Sequence, residues 1–207
     1  EITLLFGALL CIIFGAFTKE ASQKLVSYFI IVLNIIAGYL VSQNSGISTV
    51  IFNSSIAINY FTNFARIVIL GLNSIIILLL ANQDNTKLRQ FEVPVLITLS
   101  GLGAMLMAAS QNFLLLYLGL ELMSLVLYVL IAANHTKLNA EAALKYFILG
   151  ALSSGLYLFG ASLIFGFSGS IDFAQINKAF TIFNFEEGVY ELVDVPIGFL
   201  VGMILVL

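Results

Sequence analysis

Glu121 is the acidic residue of this chain that cannot be placed at a membrane surface. It lies about eight residues into an otherwise uncharged run, Phe113–Ala133, or ~12 Å from the start of a helix rising 1.5 Å per residue. A carboxylate at that depth costs about 3 kcal/mol on insertion scales, and such groups mark proton, ion or substrate paths. Tyr117, Glu121, Ser124 and Tyr128 are spaced i, i+4, i+7 and i+11, so a helix carries them as one polar stripe suited to a hydrogen-bonded or hydrated seam. The alternative is a glutamate kept neutral by burial and bonded to a neighbouring helix as structural glue. Lys145 is the second candidate, with Ser153 and Tyr157 further along its face. Glu141 precedes it by four residues, which also fits a plain ion pair at the interface with the lysine stem snorkelling. Antiparallel helices put Glu121 about 20 Å and Lys145 about 8 Å from the inner ends, so a relay between them needs water or a third group.

The elements that must position these residues are membrane helices. Of 207 residues, 61% are hydrophobic and 9% charged, against roughly 25% charged in a soluble domain; mean hydropathy is +1.10. Eight Lys/Arg and eleven Asp/Glu, a net charge of −3, cannot form a polar shell, which excludes soluble enzymes and nucleic-acid binders. One cysteine, Cys11, excludes a disulfide framework or a cysteine-based metal site within the chain. The first apolar run lacks a basic flank and is followed by many more, as in a polytopic protein and not a cleaved signal peptide. Gly101-Leu102-Gly103 has no preceding strand or acidic ribose partner and is no dinucleotide loop. His135 has no second ligand for a metal and reads as a surface residue. The glycosylation-like triplets Asn53-Ser54-Ser55 and Asn134-His135-Thr136 are too short to inform.

A hydrocarbon core about 30 Å thick needs ~20 apolar residues per helix. Six complete runs of that kind are expected, at Ile2–Thr18, Leu25–Val41, Phe64–Leu80, Val93–Ser110, Phe113–Ala133 and Ala142–Phe167; a seventh begins at Val195 and is still apolar at Leu207. The fold class is thus an all-α polytopic membrane protein, and the seventh run, too short to span, is expected to be completed by a following segment or another chain. Lys19, Lys24, Lys87, Arg89 and Lys137 fall in alternate connections, with only Arg66, at a helix edge, and Lys178 in the others; the positive-inside rule then puts the N-terminus on the outer side. The long connection Ser168–Asp194 becomes an acidic outer loop. Val50, Phe52, Ile56, Ile58 and Tyr60 alternate around Asn53-Ser54-Ser55 and predict a small outer hairpin. Gly101, Gly103, Ala104, Ala108 and Ala109 in the fourth helix, and Gly150, Ala151, Ser154, Gly155 and Gly160 in the sixth, suit close helix packing; Asn34 and Asn73 suit interhelical hydrogen bonds.

The segments Tyr117–Tyr128, with Leu-Gly-Leu-Glu121, then Glu141–Gly160, with Lys145 and Ser-Ser-Gly155, and finally Gly166–Ser170 resemble subunit 2 of respiratory NADH:ubiquinone oxidoreductase, complex I. The resemblance is most specific from about Gln111 to Asp172. It implies an antiporter-like fold of inverted five-helix repeats, in which residues 1–92 supply three N-terminal helices and 93–207 the first part of the repeat. It implies a proton path through the fifth-helix glutamate, matched by Glu121, and the sixth-helix lysine, matched by Lys145, with Tyr117, Ser124, Tyr128 and Glu141 as supporting polar groups. The family pairs its glutamate with a lysine late in the seventh helix and continues through further lysines. Leu207 precedes all of these, so the chain is expected to be the N-terminal half, split or partial, and a start at Glu1 without Met is expected to reflect a trimmed N-terminus. No redox centre is expected in this chain; flavin, iron–sulfur clusters and ubiquinone belong to other subunits. The expected partners are other membrane-arm subunits, the segment that completes the fold, and the lipid bilayer, with no nucleic acid. A multisubunit cation/proton antiporter and a non-pumping scaffold are the alternatives. Abundant Ile, Phe and Asn with no Trp suit an A+T-rich organellar genome and the mitochondrial inner membrane, with the bacterial plasma membrane as the alternative.

Overall fold

The computed structural model describes residues 1–17, 23–43, 49–52, 54–82, 92–133, 136–184, 189–192 and 195–207. Its elements are α1 (Ile2–Phe17), α2 (Gln23–Gln43), β1 (Thr49–Ile51), β2 (Ile56–Ile58), α3 (Tyr60–Ala81), α4 (Glu92–Ala109), α5 (Phe113–Ala132), α6 (Lys137–Ser168), α7 (Phe173–Phe180), β3 (Thr181–Asn184), β4 (Val189–Leu192) and α8 (Ile197–Val206). Among the described residues, five helices, α2 to α6, are long and apolar enough to cross a membrane. This corrects the expected six. The run Ile2–Thr18 yields a helix of 16 residues, ~24 Å at the α-helical rise and short of the ~30 Å hydrocarbon core. The apolar helix α8 is shorter still, at 10 residues.

Local capping explains where the helices start. Asn59 accepts from the Thr62 amide at 2.8 Å, and the Thr62 hydroxyl accepts from the Asn59 amide at 2.9 Å. This reciprocal box starts α3 at Tyr60, one turn before the apolar run. Thr136 caps α6 by accepting from the Asn139 amide at 3.1 Å, so that helix begins at Lys137 instead of Ala142. Its 32 residues span ~48 Å, so its first turns extend past the ~30 Å hydrocarbon layer. Gly169, at φ 73°, ends it in the left-handed conformation that glycine adopts without a Cβ clash. Pro94 is tolerated because it lies in the first turn of α4, where its missing N–H has no helical acceptor to lose.

The alternation around residues 50–60 produces an antiparallel hairpin pairing Thr49 with Ile58, Val50 with Ala57 and Ile51 with Ile56. Phe52 and Tyr60 are corrections. Phe52 lies in the turn at φ 53°, its carbonyl accepting from the Ser55 amide at 3.1 Å, and Tyr60 opens α3; Asn53 lies outside the described residues. The expected loop Ser168–Asp194 also carries structure: α7 and a second hairpin pairing Thr181 with Leu192 through Asn184 with Val189.

Three connections meet at one end of the bundle. The Gln111 amide donates to the Ser55 carbonyl at 2.9 Å, the Phe113 amide to the Ile171 carbonyl at 3.2 Å and the Phe173 amide to the Gln111 carbonyl at 3.0 Å. Asn112 completes the knot, its amide nitrogen donating to Ser55 Oγ at 2.9 Å and its oxygen capping α5 at the Leu115 amide, 2.7 Å. Removing a cap of this kind costs typically ~1 kcal/mol and up to ~2. Asn112→Ala is therefore expected to lower the thermal midpoint of the detergent-solubilised protein, and Asn112→Asp, which keeps the capping oxygen, to lower it less.

The helix α4 is the centre of the bundle, touched by α1, α2, α3 and α5, while α6 packs on α5 and α8 on α6. One apolar cluster joins Ala8, Cys11, Val26, Ile30, Ile77 and Val95; a second joins Leu4, Ala37, Leu70, Leu102 and Met105. Asn34 donates to Ser74 Oγ at 3.2 Å, tying α2 to α3, and Asn73 lies against Gly101. Arg66 is not at a helix edge. It is buried, 3.0 Å from the Glu1 carboxylate and 3.3 Å from Asn63 Oδ1, so it does not belong among the connection charges. Lys19, Lys87, Arg89 and His135 lie outside the described residues.

Candidate functional site

Two close backbone approaches fix the helix that carries Glu121 and the one that faces it. A Cβ built on Gly103 of α4 would lie 2.8 Å from the Gly119 carbonyl oxygen and 3.0 Å from the Met123 nitrogen of α5. One on Gly160 of α6 would lie 2.7 Å from the Gly202 carbonyl oxygen of α8. Only glycine permits these approaches, and close packing of this kind is what associates helices where lipid offers no hydrophobic drive. Gly155, grouped with them by sequence, has nothing within 4 Å.

Against this frame α5 and α6 run antiparallel and meet along the polar stripe. The Tyr117 ring stacks on Tyr157 with centroids 5.8 Å apart, and the Tyr157 hydroxyl donates to the Phe113 carbonyl at 3.0 Å. One turn on, Ser154 Oγ donates a hydrogen bond to Glu121 Oε1, and Tyr117 lies one turn before Glu121 on the same face of α5. Toward the other end Tyr128 meets the edges of Tyr146 and Phe147, centroids 5.0 and 5.6 Å away, its hydroxyl lying where a Cβ on Gly150 would stand. Glu121 is the ninth residue of the 20-residue α5, hence at mid-span, and half-buried.

The structure divides the candidates. Tyr117 and Glu121 come together, with Ser154 as the partner that sequence reasoning had counted only as a small packing residue. Ser124 shares the stripe but donates to its own helix at the Leu120 carbonyl, 2.8 Å, a back-bond typical of serine in apolar helices. Tyr128 takes part in aromatic packing. Lys145 is 2.6 Å from Glu141, with both side chains exposed, 69% and 60%. It lies nine residues before Ser154, or ~13.5 Å along α6, and so does not reach Glu121. Ser153, on the same helix, is exposed. Among the described residues no three of His, Cys, Asp and Glu gather to hold a metal ion.

Glu121 with Ser154 can be satisfied in either of two protonation states. An ionised carboxylate accepts from the Ser154 hydroxyl; a protonated one donates to Ser154 Oγ, whose lone pairs are free to accept. The Glu141–Lys145 pair carries less consequence. Exposed pairs contribute about 0–1 kcal/mol, so Glu141→Gln is expected to leave the yield and thermal midpoint of the folded protein unchanged within that margin.

The fold recurs in solved respiratory complexes. Respiratory complex I from Thermus thermophilus, solved with bound aureothin, matches with a TM-score of 0.69 at 24% identity over 86% of this chain and 41% of that one. The membrane-bound sulfane sulfur reductase, an archaeal respiratory membrane complex, matches with a TM-score of 0.78 at 21% identity over 99% of this chain and 42% of that one. Among curated proteins, NADH-quinone oxidoreductase subunit N of Azorhizobium caulinodans is 39% identical over 183 residues, 87% of this chain and 38% of the relative. Subunit N of Methylobacterium nodulans is 41% identical over 183 residues, 86% of this chain and 38% of the relative. The chain therefore spans about two fifths of the length of these curated relatives. Residues 110–206, which carry Glu121, Lys145 and Ser154, match the transmembrane family described as NADH:quinone oxidoreductase/Mrp antiporter.

Proposed function

We propose that the chain is a proton-translocating membrane-arm subunit of an NADH:quinone oxidoreductase, corresponding to subunit N of its relatives and to the subunit 2 family that it resembles. It carries the first part of the antiporter-like repeat. The observation that supports this most is the carboxylate of Glu121 at the middle of a membrane helix, bonded to Ser154 of the next helix within the segment that matches the family. Glu121 takes up and releases the proton; Ser154 holds its carboxyl in place through both states. Lys145 serves the next stage of the path nearer the α6 N-terminus, reached from Glu121 through water.

The remaining repeat, including a lysine partner for Glu121, comes from a segment or chain beyond these 207 residues, corresponding to the other three fifths of the curated relatives. Flavin, iron–sulfur clusters and quinone are handled by other subunits. The chain sits with its N-terminus on the outer side of a membrane. The relatives named above are bacterial; the composition favours a mitochondrial inner membrane, and a bacterial plasma membrane is the alternative.

The test is purification of the native assembly from its membrane, with mass spectrometry of its polypeptides and assay of NADH oxidation. Redox subunits, NADH:quinone activity and a polypeptide carrying the second repeat are expected. The matched family also covers Mrp antiporters; sodium-dependent proton exchange without NADH oxidation would assign the chain to that branch instead.

A further inference from the structure

The Tyr128 hydroxyl has a place on the Glu121 seam that its ring packing does not use. Tyr128 lies two turns past Glu121 on the same face of α5, and edge contacts with Tyr146 and Phe147 hold its ring. The hydroxyl itself stands where a Cβ on Gly150 of α6 would be, so glycine at that position is what lets the phenol reach α6. Side chains on a helix lean toward its N-terminus, which carries the hydroxyl from the Tyr128 backbone back toward Glu121. Gly150 precedes Ser154, the partner of Glu121, by four residues. Residues so spaced share a helix face and differ by ~6 Å along the axis. The Tyr128 hydroxyl and Ser154 Oγ are therefore separated by about one water, since two hydrogen bonds of ~2.8 Å through a water span that distance.

Ser124 stands between the two on α5, after Glu121 and before Tyr128. Its hydroxyl donates to the Leu120 carbonyl at 2.8 Å, and its lone pairs are left to accept. A water on this stretch has polar partners in Tyr128, Ser124 and the Glu121–Ser154 pair, within the roughly 2–4 that a bound water needs. We propose that the Tyr128 hydroxyl relays the proton between Glu121 and the C-terminal end of α5 through one bridging water, with Gly150 as its positioning residue. This rests on Glu121 being the proton carrier. In uptake the bridging water gives a proton to the Glu121 carboxylate and takes the phenol proton of Tyr128, while the phenol oxygen takes a proton from water on the side of the α5 C-terminus. Tyrosine and bridging water end neutral, and the net change is one proton moved from water at the helix end onto the carboxylate. Release is the same sequence in reverse.

The native assembly carrying Tyr128→Phe is to be compared with the parent and with Glu121→Gln in sealed vesicles, following acidification at matched rates of NADH oxidation, and its thermal midpoint read in detergent. Phenylalanine keeps the ring contacts and deletes the hydroxyl. Proton flux is therefore expected to fall by about 100-fold, the lower end of what a positioned proton-transferring group contributes, with the thermal midpoint unchanged. Gly150→Ala, whose Cβ displaces the hydroxyl, should lower the flux as well and add no further loss to Tyr128→Phe. Full flux in Tyr128→Phe beside impaired flux in Glu121→Gln overturns the relay alone, whereas full flux in both removes the proton path on which it rests. Full flux in Gly150→Ala shows that the hydroxyl is not needed at α6 and overturns the relay too. A Tyr128→Phe assembly with a lowered thermal midpoint or yield makes the hydroxyl a structural group and overturns it in the same way.

Discussion

Replacing Glu121 with Gln is expected to lower coupled proton transport and turnover while leaving assembly largely intact. Glutamine keeps the shape, and its carbonyl oxygen still accepts from Ser154, but it has no proton to take or give. Side chains that transfer protons contribute typically 10²–10⁴-fold, so the flux through this site should fall by roughly 100-fold or more. Ser154→Ala is the milder companion. It removes the Ser154 donor to the carboxylate, worth about 1.5–3 kcal/mol where the acceptor is charged, and leaves the carboxyl itself in place. Both variants are to be compared with the parent in sealed vesicles, following acidification by dye quenching at matched rates of NADH oxidation. Full pumping by Glu121→Gln would remove Glu121 from the path. A variant that fails to assemble but whose remainder pumps a normal number of protons per electron would instead favour the scaffold reading.

The mid-span position of Glu121 was legible because depth along a helix follows from counting residues. Its partner was not. Ser153 and Ser154 are adjacent, and which of them faces α5 depends on how α6 is rotated, a tertiary quantity fixed in part by the Gly160–Gly202 approach. Lys145 pairs with Glu141, with both side chains exposed, as the i, i+4 spacing allowed. The stripe on α5 was read correctly as one face. Its four members nevertheless differ in what they meet, because α6 brings Tyr157, Ser154 and Tyr146 past different turns. The starts of α3 and α6 were displaced because their caps, Asn59 and Thr136, lie several residues before the apolar runs. The elements α7, β3 and β4 escaped notice because short amphipathic pieces give no long apolar run.

The second large effect is expected at a residue that touches no proton. Gly103→Val puts a branched side chain where even a Cβ would lie 2.8 Å from the Gly119 carbonyl oxygen and 3.0 Å from the Met123 nitrogen. Both obstacles are backbone, so no rotamer change relieves them, and α5 must move away from α4. Overpacking costs typically 1–3 kcal/mol, and here the moving helix carries Glu121 away from Ser154. Folded yield and thermal midpoint in detergent should both fall, and what survives should transport poorly. Gly155→Ala is the informative contrast. Its Cβ meets nothing within 4 Å, and alanine is better than glycine in a helix interior by about 0.8–1.0 kcal/mol, so the 207-residue chain should be unchanged or slightly more stable. If Gly155→Ala is harmless in this chain but damages the native assembly, a neighbour lies against α6 at that glycine. The exposed face of α6 is then an interface with the remainder of the fold, and Glu121, one helix behind it, is enclosed only when that remainder is present.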